Sequence, residues 1–105
     1  MNPDSLQRFV ALRRYFTVVH HLPGRIRLRV DAGFLAAAGQ AERAAVTQLL
    51  EAVDGIDAVR VNALAASVVV QYDTHRLAPA HWETLLNGSD QAAAALLQQL
   101  VRQTD

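Results

Sequence analysis

The chain lacks both cysteine and lysine, and each absence excludes a class of chemistry. Without cysteine it has no disulfide, no thiolate metal site and no cysteine nucleophile, and cysteine usage leaves the redox compartment open. Without lysine, every permanently charged basic side chain is an arginine, whose planar guanidinium suits bidentate contacts with carboxylate, phosphate or propionate. A genomic base composition that favours arginine would explain the missing lysine without any function.

Long apolar runs are also missing. No run approaches the roughly 20 residues that span a bilayer, so the sequence predicts no transmembrane segment. Arg13 and Arg14 superficially resemble a twin-arginine export signal, but no long apolar region and no small-residue cleavage site follow them. The 105 residues, 51% hydrophobic and 19% charged, are typical of one globular domain.

The formal net charge of zero conceals a dipolar chain. The first thirty residues hold six arginines against one acid, a net charge of +5, whereas residues 31–105 hold four arginines against nine acids, a net charge of −5. Three of the arginines alternate with branched aliphatic residues in the stretch Gly24-Arg25-Ile26-Arg27-Leu28-Arg29-Val30. That alternation predicts a β-strand with one buried face and one cationic face.

The rest of the pattern predicts an α+β fold. Residues 16–21 have strand character, and Pro23-Gly24 interrupts it, which indicates either one long strand with a bulge or two pieces joined by a kink. The other predicted elements are, in chain order, a short helix capped by Asp4 or Ser5 and ending near Arg14, a helix carrying Val46, Leu49, Leu50 and Val53, a hairpin of residues 58–62 and 67–72, a helix that begins at Pro79, carries Trp82, Leu85 and Leu86 and stops at Asn87-Gly88, and a last helix over residues 90–103 carrying Ala93, Leu96, Leu97, Leu100 and Val101.

This order predicts a ferredoxin-like split βαβ antiparallel sheet with its helices on one face. Its fourth strand is missing or replaced by the C-terminal helix, which either covers the free sheet edge or pairs with another chain. We predict three parts: an amphipathic N-terminal appendage (residues 1–15), the ferredoxin-like domain (16–88) and the C-terminal helix (89–105).

Three stretches of the sequence resemble the heavy-metal-associated (HMA-like) domain family in its cysteine-less variant. They are residues 21–29 (HLPGRIRLR), 50–62 (LEAVDGIDAVRVN) and 67–73 (SVVVQYD), and the likeness covers about residues 18–87. The variant occurs at the N-terminus of some heavy-metal P-type ATPases and as small stand-alone proteins. Ordinary members hold soft metal ions with a Cys-x-x-Cys loop, which this chain lacks, so thiolate-based copper or zinc chaperoning is excluded.

The Pro-Gly-Arg-x-Arg strand is also similar to motifs in proteins associated with ferrosomes, the bacterial iron-storage compartments, where such proteins accompany a metal-pumping ATPase. The two resemblances imply a non-enzymatic accessory or targeting module in metal handling, with iron as the metal and a heavy-metal P-type ATPase as a partner. They also imply a cytoplasmic location, at the surface or in the lumen of a metal-storage compartment.

The arginine face is the predicted binding site. Arg25, Arg27 and Arg29 project from the open side of the sheet if the alternate aliphatic residues are buried, and Arg60 joins them if Val59 and Val61 are buried. Clustered guanidiniums repel one another unless an anion lies among them, so we expect an acidic protein surface, phosphate or polyphosphate there. The alternative is a solvated face, or one paired with Asp73 or Glu83 of the same chain.

The histidines are the candidate metal ligands. His20 and His21 are adjacent and point to opposite faces of a strand, so they make a poor chelating pair. His75, with Asp73 and His81, offers an oxygen and nitrogen site for iron or another divalent ion. Haem is a further candidate cofactor, with its propionates held by Arg27 or Arg29 and an axial ligand from His20 or His21.

Other function classes find less support in the sequence. Catalysis would need a nucleophile or a tuned acid and base; Arg25 and Asn62 only nominally match the arginine and asparagine of acylphosphatases. Nucleic acid is disfavoured because the cationic strand lacks interleaved exposed aromatics. An N-terminal helix with Phe9, Val10, Arg13 and Arg14 allows peripheral membrane contact. A homo-oligomer would bring two arginine rows together, and an anion-binding adaptor without a metal role is the alternative function.

Overall fold

The computed structural model of the protein describes residues 3–37, 40–62 and 64–100. In chain order the elements are α1 (Pro3–Leu12), a 3₁₀ turn (Arg13–Tyr15), β1 (Phe16–Leu22), β2 (Arg25–Val30), α2 (Ala32–Ala37), α3 (Gln40–Glu51), β3 (Ile56–Asn62), β4 (Ser67–Tyr72), α4 (Pro79–Asn87) and α5 (Asp90–Leu100). The helix α1 begins at Pro3, a residue suited to the first helical turn, so the predicted caps Asp4 and Ser5 lie inside the helix. Val101 and the rest of the predicted last helix beyond residue 100 lie outside the described residues.

The four strands form one antiparallel sheet in the order β1-β2-β4-β3. The arginine strand β2 and the third strand of the split unit, β4, are central neighbours, as predicted. The predicted β3–β4 hairpin is confirmed, with β3 beginning at Ile56 rather than Ala58. The sheet therefore presents a central arginine strand that is hydrogen-bonded on both sides.

The chain before and after Pro23-Gly24 forms a hairpin, which differs from both predicted alternatives. β1 and β2 pair antiparallel from Phe16↔Val30 to Leu22↔Arg25, with Pro23 and Gly24 as the connection. Gly24 has φ +89°, which suits glycine after a proline in a tight turn. A bulge does occur, but it lies between Val18 and His20 inside β1.

β1 also fills the sheet edge beside β2, which we expected to be free or covered by the C-terminal helix. Because β1 is joined to β2 by two residues, it reaches that edge with little loss of chain entropy. The C-terminal helix α5 instead packs against α4 and α1. Together these strands and helices make the predicted α+β fold, with its fourth strand supplied from the N-terminal side.

The hydrophobic core lies between one face of the sheet and the helices. Alternate residues of β2 and β4 face it: Ile26, Leu28 and Val30, and Val68, Val70 and Tyr72. The helices bury the predicted residues Val46, Leu49, Leu50, Trp82, Leu85, Leu86, Ala93, Leu97 and Leu100. Phe9 of α1 belongs to the same core, which brings α1 onto the helical layer.

Candidate anion-binding face

The hydrophobic pattern of β2 fixes where its arginines lie. Ile26 and Leu28 are 0% and 1% exposed, so the alternate residues Arg25, Arg27 and Arg29 lie on the opposite, exposed face. A slip of one residue would bury the three guanidiniums, which makes this register strongly preferred. The arginines are thus held at the middle of the sheet by the packing of the same strand.

The strand register defines what surrounds these arginines. Residues that pair directly across an antiparallel sheet share a face, and the pairing gives three cross-strand rows on the arginine side. The rows, written from β1 to β3, are Leu22, Arg25, Gln71, Ala58; His20, Arg27, Val69, Arg60; and Thr17, Arg29, Ser67, Asn62. We call these positions the open face.

Arg60 belongs to the open face, although the condition on which it was predicted is only partly met. Val59 is half-buried and Val61 is exposed, because β3 is an edge strand. Val69 pairs with both Arg27 and Arg60, so the two guanidiniums flank one half-buried valine from neighbouring strands. The middle row therefore combines two arginines, an apolar centre and His20.

The directly paired positions of the open face carry no negative charge, and the one acid of β3, Asp57, lies in the bulge between Ile56 and Ala58. None of its positions is an aspartate or a glutamate. Among the side chains that the structure describes, Arg13 forms an ion pair with Asp90 and Arg76 forms one with Asp54, and neither pair involves an open-face arginine.

The two acids considered as internal partners are engaged elsewhere. The Asp73 carboxylate accepts a hydrogen bond from the backbone N–H of His75 at 2.8 Å, and Glu83 accepts one from the Asn87 amide at 3.2 Å. The described chain thus leaves the four guanidiniums without a carboxylate of their own.

This arrangement can bind an anion. Side chains two residues apart on a strand are about 6.6–6.8 Å apart, and neighbouring strands are about 4.7–4.9 Å apart, so the open face carries a grid of donors. A guanidinium forms two parallel hydrogen bonds with a carboxylate or phosphate. A ligand with several acidic groups would reduce the mutual repulsion of the arginines and satisfy donors in more than one row.

The two adjacent histidines lie on different sides of the sheet, as their spacing predicts. His20 pairs with Arg27 on the open face, whereas His21 pairs with Ile26 on the core face. The structure therefore does not bring them together as a chelating pair. His20 instead extends the middle row of arginines toward the sheet edge.

His21 forms a contact that sequence reasoning missed. Its Nε2 lies 2.6 Å from the Tyr72 hydroxyl, and the Tyr72 ring packs at a tilt against Trp82. Burial lowers the pKa of His21 from its ordinary value, because the charged imidazolium loses solvent there. No local pattern joins residues 51 positions apart, so only the strand pairing reveals this contact.

The remaining histidines have local structural contacts. His75 lies in the turn after β4, and His81 accepts a hydrogen bond from the Ala78 backbone N–H at its Nδ1, 3.1 Å away. Among the described residues, no group of three or more histidine, cysteine, aspartate or glutamate side chains could hold a metal ion. The donors present, with no thiolate anywhere in the sequence, do not fit a soft metal ion.

Part of the N-terminal segment that was predicted to contact membranes is buried within the protein. Phe9 and Arg13 are buried, while Arg14 is exposed and lies 5.0 Å from the centre of the Tyr15 ring. Peripheral membrane contact stays a prediction, and of the four residues named for it only Val10 and Arg14 are accessible. No helix among the described residues is long and apolar enough to cross a bilayer.

Comparison with known proteins agrees with this architecture. The family model described as heavy metal associated domain 2 matches residues 6–100. No curated protein and no solved structure matches the chain significantly. The match spans nearly all of the sequence, including β1 and both terminal helices, so the chain belongs to the heavy-metal-associated domain 2 family. The family indicates a metal-related accessory role.

Proposed function

We propose that this heavy-metal-associated domain is a non-enzymatic targeting module in metal handling, and that its open face binds an acidic segment of a partner protein. One observation carries the proposal: four arginines and a histidine share a sheet face whose directly paired positions include no acid. Exposed cations without internal counter-charges attract an external anion over about one Debye length, roughly 8–10 Å at physiological salt.

A protein segment suits the open face better than a free polyphosphate chain. Val69 lies between Arg27 and Arg60, and Leu22 borders Arg25 and is 51% exposed. A polyphosphate has no apolar group to place on these side chains, whereas a peptide offers both carboxylates and apolar contacts. Polyphosphate is therefore the competing outcome of the binding experiment.

The metal of the pathway is proposed to be iron, and the partner is proposed to be a metal transporter such as a heavy-metal P-type ATPase. Both proposals come from the resemblance of the Pro-Gly-Arg-x-Arg strand, and metal is cargo of the system rather than a group held by this face. The general anion-binding adaptor without a metal role is the alternative, because the same open face would serve it without any metal.

The test compares two triple variants with equal charge loss. The face variant replaces Arg25, Arg27 and Arg29 with glutamine. The control variant makes the same change at three exposed arginines outside the sheet, Arg8, Arg14 and Arg76. Isothermal calorimetry then measures the Kd of a glutamate-rich peptide and of polyphosphate, with circular dichroism to check folding.

We expect the face variant to fold and to lose affinity for the peptide. Three exposed ion pairs at about 0.2–1 kcal/mol each predict a loss of about three- to 150-fold. The control variant should bind within about twofold of wild type. Equal losses in both variants would mean that only net charge matters, and an unfolded face variant would show that the arginines are structural.

A second measurement separates metal handling from a general adaptor. Mass spectrometry and visible absorption of the purified protein detect bound iron or haem, and calorimetric titration of each gives the stoichiometry. Stoichiometric iron or haem would contradict a purely anion-binding adaptor and direct attention to His20, His21 and His75.

A further inference from the structure

We propose that the acidic segment binds as an added β-strand along the outer edge of β1, with its acidic side chains on the open face. This inference rests on the proposed function and names the form of its partner. No strand of the described residues pairs with this outer edge, because β1 is the first strand of the order β1-β2-β4-β3. Unpaired N–H and C=O groups on such an edge are a template for an extended segment.

The edge is unusually apolar. Val18, Val19 and Leu22 are 37%, 43% and 51% exposed, and β1 thus holds three of the five large hydrophobic side chains that are exposed in the described chain. Val18 lies on the core face and Leu22 on the open face, so both faces of the edge strand expose apolar surface. An added strand would cover them while it satisfies the backbone groups.

Charge identifies the occupant. Side chains of an added strand that face the open side would lie next to Thr17, His20 and Leu22, with the arginines of β2 one strand further on. Two strand spacings, about 9.4–9.8 Å, separate the backbone of an added strand from β2, a gap that long arginine and glutamate side chains can bridge. Alternate residues of the partner should therefore be acidic.

The other alternate residues of the partner should be apolar. They would turn to the core side of the sheet, where β1 presents Val18. The bulge between Val18 and His20 interrupts the regular edge, so the segment pairs over a short length. The occupant is thus a short extended segment that alternates acidic and apolar residues.

A second copy of this chain fits less well. Its own β1, residues 16–22 (FTVVHHL), contains no acid, so pairing of two β1 edges would bring no carboxylate to either open face. Its other edge strand, β3, carries the single acid Asp57. The charge requirement therefore points to a different protein.

The experiment uses synthetic peptides of about eight residues, within the usual length of a strand. One peptide alternates glutamate with valine, a second has the same composition in two blocks, and a third is the alternating peptide with N-methyl groups that prevent strand pairing. NMR titration gives each Kd, and amide hydrogen exchange reports which backbone groups become protected. We expect the alternating peptide to bind at least about tenfold more tightly than the other two, equivalent to about 1.4 kcal/mol.

Matched variants test the edge itself. Val19→Lys adds a positive charge to the β1 edge and removes an apolar contact, while Val61→Lys makes the same change on β3, where Val61 is 39% exposed. Simple attraction of charges predicts that both variants bind the alternating peptide more tightly. Strand addition at β1 predicts weaker binding for Val19→Lys alone, with slowed amide exchange in β1 and not in β3 in the wild type.

The outcomes separate the two proposals. Equal binding of the N-methylated and parent peptides, with loss in the triple arginine variant, would overturn strand addition and leave the proposed function standing. Protection of β1 amides by self-association without peptide would show a second copy as the occupant and overturn the inference. No binding of any acidic peptide to the wild type would overturn both.

Discussion

Arg13 provides the sharpest test of how the terminal helices are joined to the fold. It is 8% exposed and donates hydrogen bonds to the Leu85 carbonyl at 3.2 Å, the Gly88 carbonyl at 2.6 Å and the Asp90 carboxylate at 2.7 Å. These contacts satisfy carbonyls near the end of α4 and place a positive charge at its negative dipole end. One guanidinium thus ties the segment after α1 to the α4–α5 connection.

Replacing Arg13 should cost much more stability than neutralising its charged partner. Arg13→Ala leaves the buried contact at Leu85 without its donor, and an unpaired buried acceptor costs about 1–3 kcal/mol. With the lost dipole and packing contributions we expect a total loss of about 2–4 kcal/mol. Asp90 is 79% exposed at its side chain, so Asp90→Asn should cost only about 0–1 kcal/mol.

Urea unfolding followed by fluorescence of Trp82, the single tryptophan, measures both free energies of unfolding. Arg13→Lys is the matched control, since it keeps the positive charge but loses the planar set of guanidinium donors. Its free energy of unfolding should lie between those of Arg13→Ala and the wild type. A loss for Asp90→Asn equal to that of Arg13→Ala would refute the reasoning, because the exposed ion pair and not the carbonyls would then provide the stability.

Three further predictions follow from single positions. Gly24→Ala should destabilise the protein by about 1–2 kcal/mol in urea unfolding, since φ is +89° there; a neutral result would show that the hairpin turn relaxes. Burial lowers the pKa of His21, so the folded protein binds fewer protons at this residue than the unfolded chain. The free energy of unfolding should therefore be highest above about pH 6.5 and decrease as the pH falls from 6.5 to the lower pKa of the folded state. His21→Gln should flatten that dependence in unfolding curves measured from pH 5 to 8, roughly the range where histidine titrates, and an unchanged slope would assign it to another group. Leu28→Ala should cost about 2–5 kcal/mol and Arg27→Gln less than about 0.5 kcal/mol, and similar losses would contradict the two-faced strand.

The elements with a clear hydrophobic periodicity and with proline or glycine at their ends could be predicted from the sequence. β2 alternates strictly, and α4 begins at Pro79 and ends before Gly88, so pattern and chain breakers agree in each case. The β3–β4 pairing follows from two strand-like stretches joined by a short connection. The hydrophobic pattern also determines the face on which Arg25, Arg27 and Arg29 lie.

The β1–β2 hairpin could not be read from its residues alone. Proline followed by glycine suits a kink, a bulge or a tight turn, and only the pairing partner distinguishes them. The sequence also gives no sign that β1 carries a bulge at Val18–His20, although the bulge decides that His20 faces the arginines. The sequence alone therefore does not predict that His20 lies in the same cross-strand row as Arg27.

The structural role of Arg13 could not be predicted from the sequence, for a different reason. It lies in the 3₁₀ turn directly after α1 and carries a charge that is typical of a solvated residue, and its partners are 72 to 77 positions away. Only the packing of α1 against α5 brings the guanidinium to those carbonyls. The arginines of the first thirty residues therefore do not share one role, since Arg13 is structural whereas others lie on the open face.

The position of β1 also explains why the arginine strand is suited to recognition. β1 pairs with one side of β2 and β4 with the other, so both sides of the arginine strand are held by backbone hydrogen bonds. Burial of Ile26, Leu28 and Val30 opposes any shift of register, because a one-residue slip would move the guanidiniums into the core. A partner that bound this face would lose little affinity to ordering the protein backbone, since the spacing of the donors is set before binding. The same β1 strand that makes β2 central carries the sheet edge next to the arginine strand, so the open face and the edge proposed for strand addition are adjacent surfaces of one hairpin.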